Sequence, residues 1–119
     1  MDTRALENEL NEMILKGQAM EAFDKFYADD VVMQENQHEP REGKPACRTY
    51  EEQFFGNIKE FHGAELHHSA VDGERSYSEW TFDVTFVDGK RMTNRQVAAR
   101  TWKDGKVVFE RFFYEPNIA

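Results

Sequence analysis

The chain has 119 residues, the size of a single domain, and its 15 Lys and Arg against 23 Asp and Glu leave a formal charge of −8. That balance excludes a nucleic-acid binder working through phosphate contacts and argues against docking on anionic membrane. One cysteine, Cys47, excludes an intrachain disulfide, and an aromatic content of 13% points to a packed core, because disordered chains are aromatic-poor.

Met1-Asp2-Thr3-Arg4 lacks the basic and apolar regions of a signal peptide, and no apolar run approaches the ~20 residues of a membrane helix. A cytoplasmic, reducing location is expected. Leu6, Leu10, Met13 and Ile14 recur at helical spacing, with Glu, Asn and Lys on the other side; this predicts a first helix over residues 2–16 that stops at Gly17. Met20, Phe23, Phe26 and Tyr27 mark a second helix, closed by Asp29-Asp30. Val31 to Glu35 reads as a short strand, followed by a polar stretch to Lys44. Pro45 suits the first turn of a third helix, whose stripe is Cys47, Tyr50, Phe54, Ile58 and Phe61 and whose end is Gly63.

From Ala64 the period changes to two. Asp72-Gly73, Asp88-Gly89 and Asp104-Gly105 supply the positive φ angles of tight turns, and predict an antiparallel meander of strands at 64–71, 75–87, 90–103 and 106–114. Three helices followed by such a sheet make an α+β domain, residues 1–119. In the last strand Val107, Phe109 and Phe113 point one way and Val108, Phe112 and Tyr114 the other, so both faces are apolar. A sheet with one wet face would alternate, and the outer face is therefore expected to be buried in a homodimer.

Two segments carry a family resemblance: Phe26 to Glu35 with Glu39-Pro40-Arg41-Glu42-Gly43, and Ser78-Glu79-Trp80-Thr81-Phe82 through Asp104-Gly105-Lys106-Val107-Val108 to Phe113-Tyr114-Glu115-Pro116. With the element order, they resemble the SnoaL-like domains of the NTF2-like superfamily. The resemblance implies a cone whose curved sheet and helices enclose a pocket, and a fold that hosts isomerases, cyclases, hydrolases and plain binding domains. Ketosteroid isomerases are distantly similar, and in them a carboxylate near the end of the short strand moves the proton. Counting from Asp30 puts Glu35 there; counting back from Pro40 puts Gln34 there, and Glu35 is preferred. The isomerases' carbonyl-polarising groups are missing: the first helix has no Tyr, and the position matching their Asp is Val97, beside Gln96. Losing one such donor costs ~10²–10³ in rate, which argues against steroid isomerisation.

Glu35 is thus the candidate catalytic acid or base. Glu110 has two readings: a pocket partner of Glu35, or an outward residue paired with a surface Arg such as Arg95, which the rarity of unpaired buried charges favours. His67 and His68, adjacent in a strand, should face opposite ways; His68 shares a side with Leu66 and Ala70 and is a candidate pocket acid or base, or a core histidine. Tyr27, Tyr50, Phe54 and Trp80 are candidate pocket walls, with Phe82 and Tyr114 beside them. Cys47 reads as a buried, inert thiol. No metal spacing or phosphate loop is present, and no cofactor is expected. Two functions remain: a cofactor-independent acid–base enzyme acting on a small hydrophobic, oxygenated molecule, or a non-catalytic ligand-binding or dimerisation domain of the same fold.

Overall fold

A computed structural model describes residues 2–115. Met1 and residues 116–119, among them the Pro116 of the second resembling segment, lie outside them. The elements run α1 (Thr3–Leu15), α2 (Ala19–Phe26), β1 (Tyr27–Glu35), β2 (Arg41–Glu42), α3 (Lys44–Gly56), β3 (Ile58–Asp72), β4 (Arg75–Phe86), β5 (Arg91–Lys103) and β6 (Lys106–Tyr114). The Asp2 carboxylate accepts the backbone N–H of Ala5 at 3.3 Å and so caps α1. α2 runs straight into β1, because Tyr27 already has extended dihedrals.

The six strands form one sheet in the order β2-β1-β6-β5-β4-β3. The meander is as the Asp-Gly pairs predict. Asp104 and Gly105 both take positive φ, 53° and 78°, which a two-residue turn of this hand requires. The sheet is mixed rather than antiparallel throughout: β1 lies parallel to β6, with Met33 opposite Glu110 and Glu35 opposite Phe112. Only a chain that crosses over between its two strands can make such a pair, and here everything from β2 to β5 forms that connection.

Two expected boundaries are corrected. β1 begins at Tyr27, not Val31. The third helix ends at Gly56, and Ile58 and Phe61 belong to β3, opposite Phe86 and Val84. The reason is a pair of bulges, between Ile58 and Glu60 and between Phe61 and Gly63. Each bulge adds a residue to one strand, so inward side chains recur at 58, 61 and 64 and imitate helical spacing.

Leu10, Phe23, Phe26, Val31, Met33, Trp102 and Val107 are buried together between the helices and the inner face of the sheet. Trp80 is also buried and stacks on Phe82 with centroids 5.2 Å apart. In β6 a register shift against β5 places Val107 inside, opposite Trp102, and Phe109 outside, opposite Thr101. The expected grouping of Val107 with Phe109 fails for that reason. Among the described residues no helix is long and apolar enough to cross a membrane.

Candidate functional site

The helices stop short of covering the whole concave face, and the space left is a cavity of about 710 Å³, within the range of small-molecule sites. Its walls are largely aromatic. Tyr27, Glu35, Tyr50 and Phe54 line it from β1 and α3, and Trp80, Phe82, Glu110 and Tyr114 from the sheet. Eight of the nine residues singled out from the sequence therefore meet in one cavity. Glu35 faces it, whereas Gln34 lies opposite the outward Arg111 and donates to the backbone carbonyl of His38. Gln96 lines the cavity in place of its neighbour Val97.

His68 is the exception. A bulge between Leu66 and His68 shifts the register so that His68 opposes Glu79 on the outer face, where it is exposed. The same bulge overturns the expected opposition of the two histidines. His67 bonds the hydroxyl of Thr81, which is also outward, at 2.7 Å.

Glu110 reads opposite to the surface alternative. Arg95 pairs with Glu79 on the outer face, while Glu110 is 1% exposed and points inward. Its Oε2 accepts the Tyr27 hydroxyl and the Arg100 Nε, both at 2.6 Å. Arg100 Nη1 in turn donates to Glu7 at 2.8 Å and to Asn11 at 2.9 Å, and Ser76 and Ser78 donate to the Glu7 carboxylate. A buried guanidinium thus holds two buried carboxylates, the arrangement that makes such charges tolerable. Burial pushes the Glu110 carboxyl up against the pull of Arg100. It acts on Glu7 as well, but Arg100 and the two serines outweigh it and hold Glu7 below the usual range. Tyr27 is raised well above the phenol range by burial and then by Glu110, so it stays a donor. One oxygen of Glu110, Oε1, is buried with no hydrogen-bond partner.

Glu35 sits near the other end of β1. Arg41 on β2 donates to its Oε2 at 2.9 Å, and the Tyr114 hydroxyl to its Oε1 at 3.2 Å. The Arg41 guanidinium also lies 3.6 Å over the ring centre of Tyr50. Burial, then the Glu35 charge, raises the Tyr114 phenol, which keeps it a donor to that carboxylate.

Glu51, on α3, is a further carboxyl in the cavity wall, and sequence reasoning missed it. Burial, followed by the charges of Glu110 and Glu35, pushes it up to about 8 despite Arg41. Glu7, Asn11, Arg41 and Arg100 were missed as well. A signal existed for Glu51: it lies four residues after Cys47 and three before Phe54, inside the apolar stripe of its helix. Cys47 is fully buried and its thiol is pushed up by burial, as an inert cysteine should be. Among the described residues no group of three or more His, Cys, Asp or Glu is placed to hold a metal ion.

The SnoaL-like domain family matches residues 9–110. The chain belongs to that family. A candidate SnoaL-like polyketide cyclase from Mesorhizobium loti is 30% identical, with 96% of this chain and 100% of that one covered and a TM-score of 0.87. A candidate polyketide cyclase from Pseudomonas putida KT2440 shares the fold at 21% identity, 98% and 94% coverage and a TM-score of 0.78. A Xanthomonas campestris protein with a cystatin-like fold does so at 16% identity, 96% and 91% coverage and a TM-score of 0.82. No curated protein matches the sequence closely enough to stand as a relative.

Proposed function

We propose that this SnoaL-like domain is a cofactor-independent enzyme that moves protons on a small, hydrophobic, oxygenated molecule held in the cone, with Glu35 as the transferring group. The observation that carries the reading is the Glu35–Tyr114 contact of 3.2 Å inside a ligand-sized, aromatic-rich cavity. A purely apolar binding pocket has no need of two ionisable groups in hydrogen-bond reach. Each carboxylate oxygen has a second lone pair, so Glu35 can accept a proton while Arg41 and Tyr114 fix its orientation. Abstraction beside a carbonyl moves the C–H electron pair onto the carbonyl oxygen and the proton onto Glu35. Returning the proton to another atom completes an isomerisation; attack by the new carbon nucleophile on a second carbonyl closes a ring, and the alkoxide so formed takes the proton back from Glu35. The similarity to a candidate polyketide cyclase agrees with this class of step.

The domain works, on this reading, as a homodimer through the outer sheet face in the cytoplasm. Phe113 and Tyr77 are exposed there, and Val97 lies directly opposite Phe113. The functional test is a thermal-shift screen of wild type and Glu35→Gln against polycyclic, aromatic and small hydroxylated compounds, followed by rate assays on the stabilising class. The proposal expects Glu35→Gln to bind such compounds yet turn them over at least ~10²-fold more slowly. Equal turnover by both proteins would take the proton transfer away from Glu35, and binding without turnover by the wild type would return the domain to a non-catalytic binding role.

A further inference from the structure

We propose that the ligand of this cavity carries a basic nitrogen, and that its ammonium group sits against the Glu51 carboxylate, near the buried charge of Glu110. The inference rests on the cavity being a ligand site and adds the chemical class of the ligand; it requires no particular reaction.

The cavity is rich in acceptors that have no donor. Glu110 Oε1 is buried and unpartnered, because Tyr27 and Arg100 both bond the other oxygen. Glu51 lines the same cavity and, among the described residues, makes no hydrogen bond or salt bridge. Neither nearby cation bonds Glu51. Arg100 is shared among Glu110, Glu7 and Asn11, and Arg41 gives one Nη to Glu35 and stacks on the Tyr50 ring, its Nε being buried without a partner and bonded to neither Glu51 nor Glu110. Beside the phenols, the wall carries four carboxyl groups, Glu21, Glu35, Glu51 and Glu110, against one cation, Arg100. Half of the other wall residues, the phenols included, are aromatic, and ring faces such as those of Phe54, Trp80 and Phe82 also attract a cation. A metal ion is the other candidate cation, but no group of three suitable ligands exists among the described residues.

The groups facing Glu51 are Glu35 from β1, Arg41 from β2, Glu110 from β6 and the phenols Tyr27 and Tyr50. α2 contributes Glu21 to the cavity wall, and β3 only Ile58 and Phe61. In this surrounding Glu51 titrates at about 8, so at neutral pH the empty cavity keeps a proton where the ammonium would lie. An ammonium brings three N–H donors and a positive charge, and so lets Glu51 ionise beside Glu110. Its binding therefore expels the proton. A neutral ligand of the same shape meets the protonated Glu51 and expels none.

The probes are 9-anthracenylmethylamine and its near-isosteric alcohol, 9-anthracenemethanol, titrated by fluorescence and by calorimetry in buffers of different ionisation heat. The amine should bind at least tenfold more tightly than the alcohol at about pH 8. Its affinity should rise about tenfold from pH 6 to pH 7, with nearly one proton released. Glu51→Gln should bring the amine's affinity down to the alcohol's and leave the alcohol's unchanged, its melting temperature showing that it is folded. An alcohol bound as tightly as the amine overturns the inference while leaving the cavity a ligand site. Amine binding unaffected by Glu51→Gln, or no binding of either probe, overturns it too; the Glu35→Gln assay judges the enzymatic reading separately.

Discussion

Replacing Glu51 with Gln should stabilise the protein, and by more as the pH rises. The carboxyl has an ordinary value of 4.5 and titrates at about 8 in the fold, so the folded state holds the proton more tightly than the unfolded chain. The stabilisation from that proton is complete below the unfolded value and is lost as the pH climbs from 4.5 through 8. At ~1.4 kcal/mol per pH unit the whole loss is at most ~5 kcal/mol. Glu51 is partly exposed to the cavity, and solvent screening reduces this to ~2–4 kcal/mol. Gln is neutral throughout and nearly the same shape, so it feels none of this loss. The gap between variant and wild type should widen by ~2–4 kcal/mol between about pH 5 and pH 8.5. For a domain of this size ~1 kcal/mol moves the melting temperature by ~4 °C, giving a divergence of ~8 °C or more. Urea melts followed by tryptophan fluorescence across that range measure it. Parallel stability profiles for the two proteins would refute the reasoning, because they would mean that Glu51 ionises as freely in the fold as in the unfolded chain.

Arg100→Met should destabilise by ~3–5 kcal/mol or prevent folding, since it strands the buried carboxylates of Glu7 and Glu110; chemical denaturation reads the loss. Phe113→Asp should convert the dimer to a monomer in sedimentation while changing monomer stability by less than ~1 kcal/mol, because Phe113 is 44% exposed in the single chain. A wild type that sediments as a 14.0 kDa species at micromolar concentration would remove the dimer instead.

The sheet was legible because hairpin turns are local chemistry: each Asp-Gly pair reverses the chain within a few residues, so its position is a sequence property. The order of strands in the meander follows from that alone. What misled the reading was the bulge. Period-two logic fails wherever a strand carries an extra residue, and the shifts near Ile58, Phe61, Leu66 and Trp102 are where a helix end, the facing of His68 and the grouping of Val107 went wrong. Six of the eight nominated residues that line the cavity are aromatic, and large aromatic side chains seek the concave face; Glu35 and Glu110 were placed by the family resemblance instead. The polar network was hidden for the complementary reason. Glu7 and Asn11 sit beside the apolar stripe of α1 and look like solvated residues until Arg100 arrives from a strand 93 positions away from Glu7. Nothing local pairs those residues; only the closed fold does. Glu51 and Glu7 share the one warning that was available, a carboxylate at helical spacing from buried apolar residues.

The central claim is that Glu51 keeps its proton in this cavity at neutral pH. Carbon NMR of protein labelled at the glutamate side-chain carboxyl, titrated from about pH 4 to pH 10, tests it directly. The account predicts a carboxyl signal with its midpoint near 8 that is absent from Glu51→Gln. If every signal that titrates does so between about pH 3.5 and pH 5.5, the cavity holds no proton at neutral pH and the account is wrong at its core.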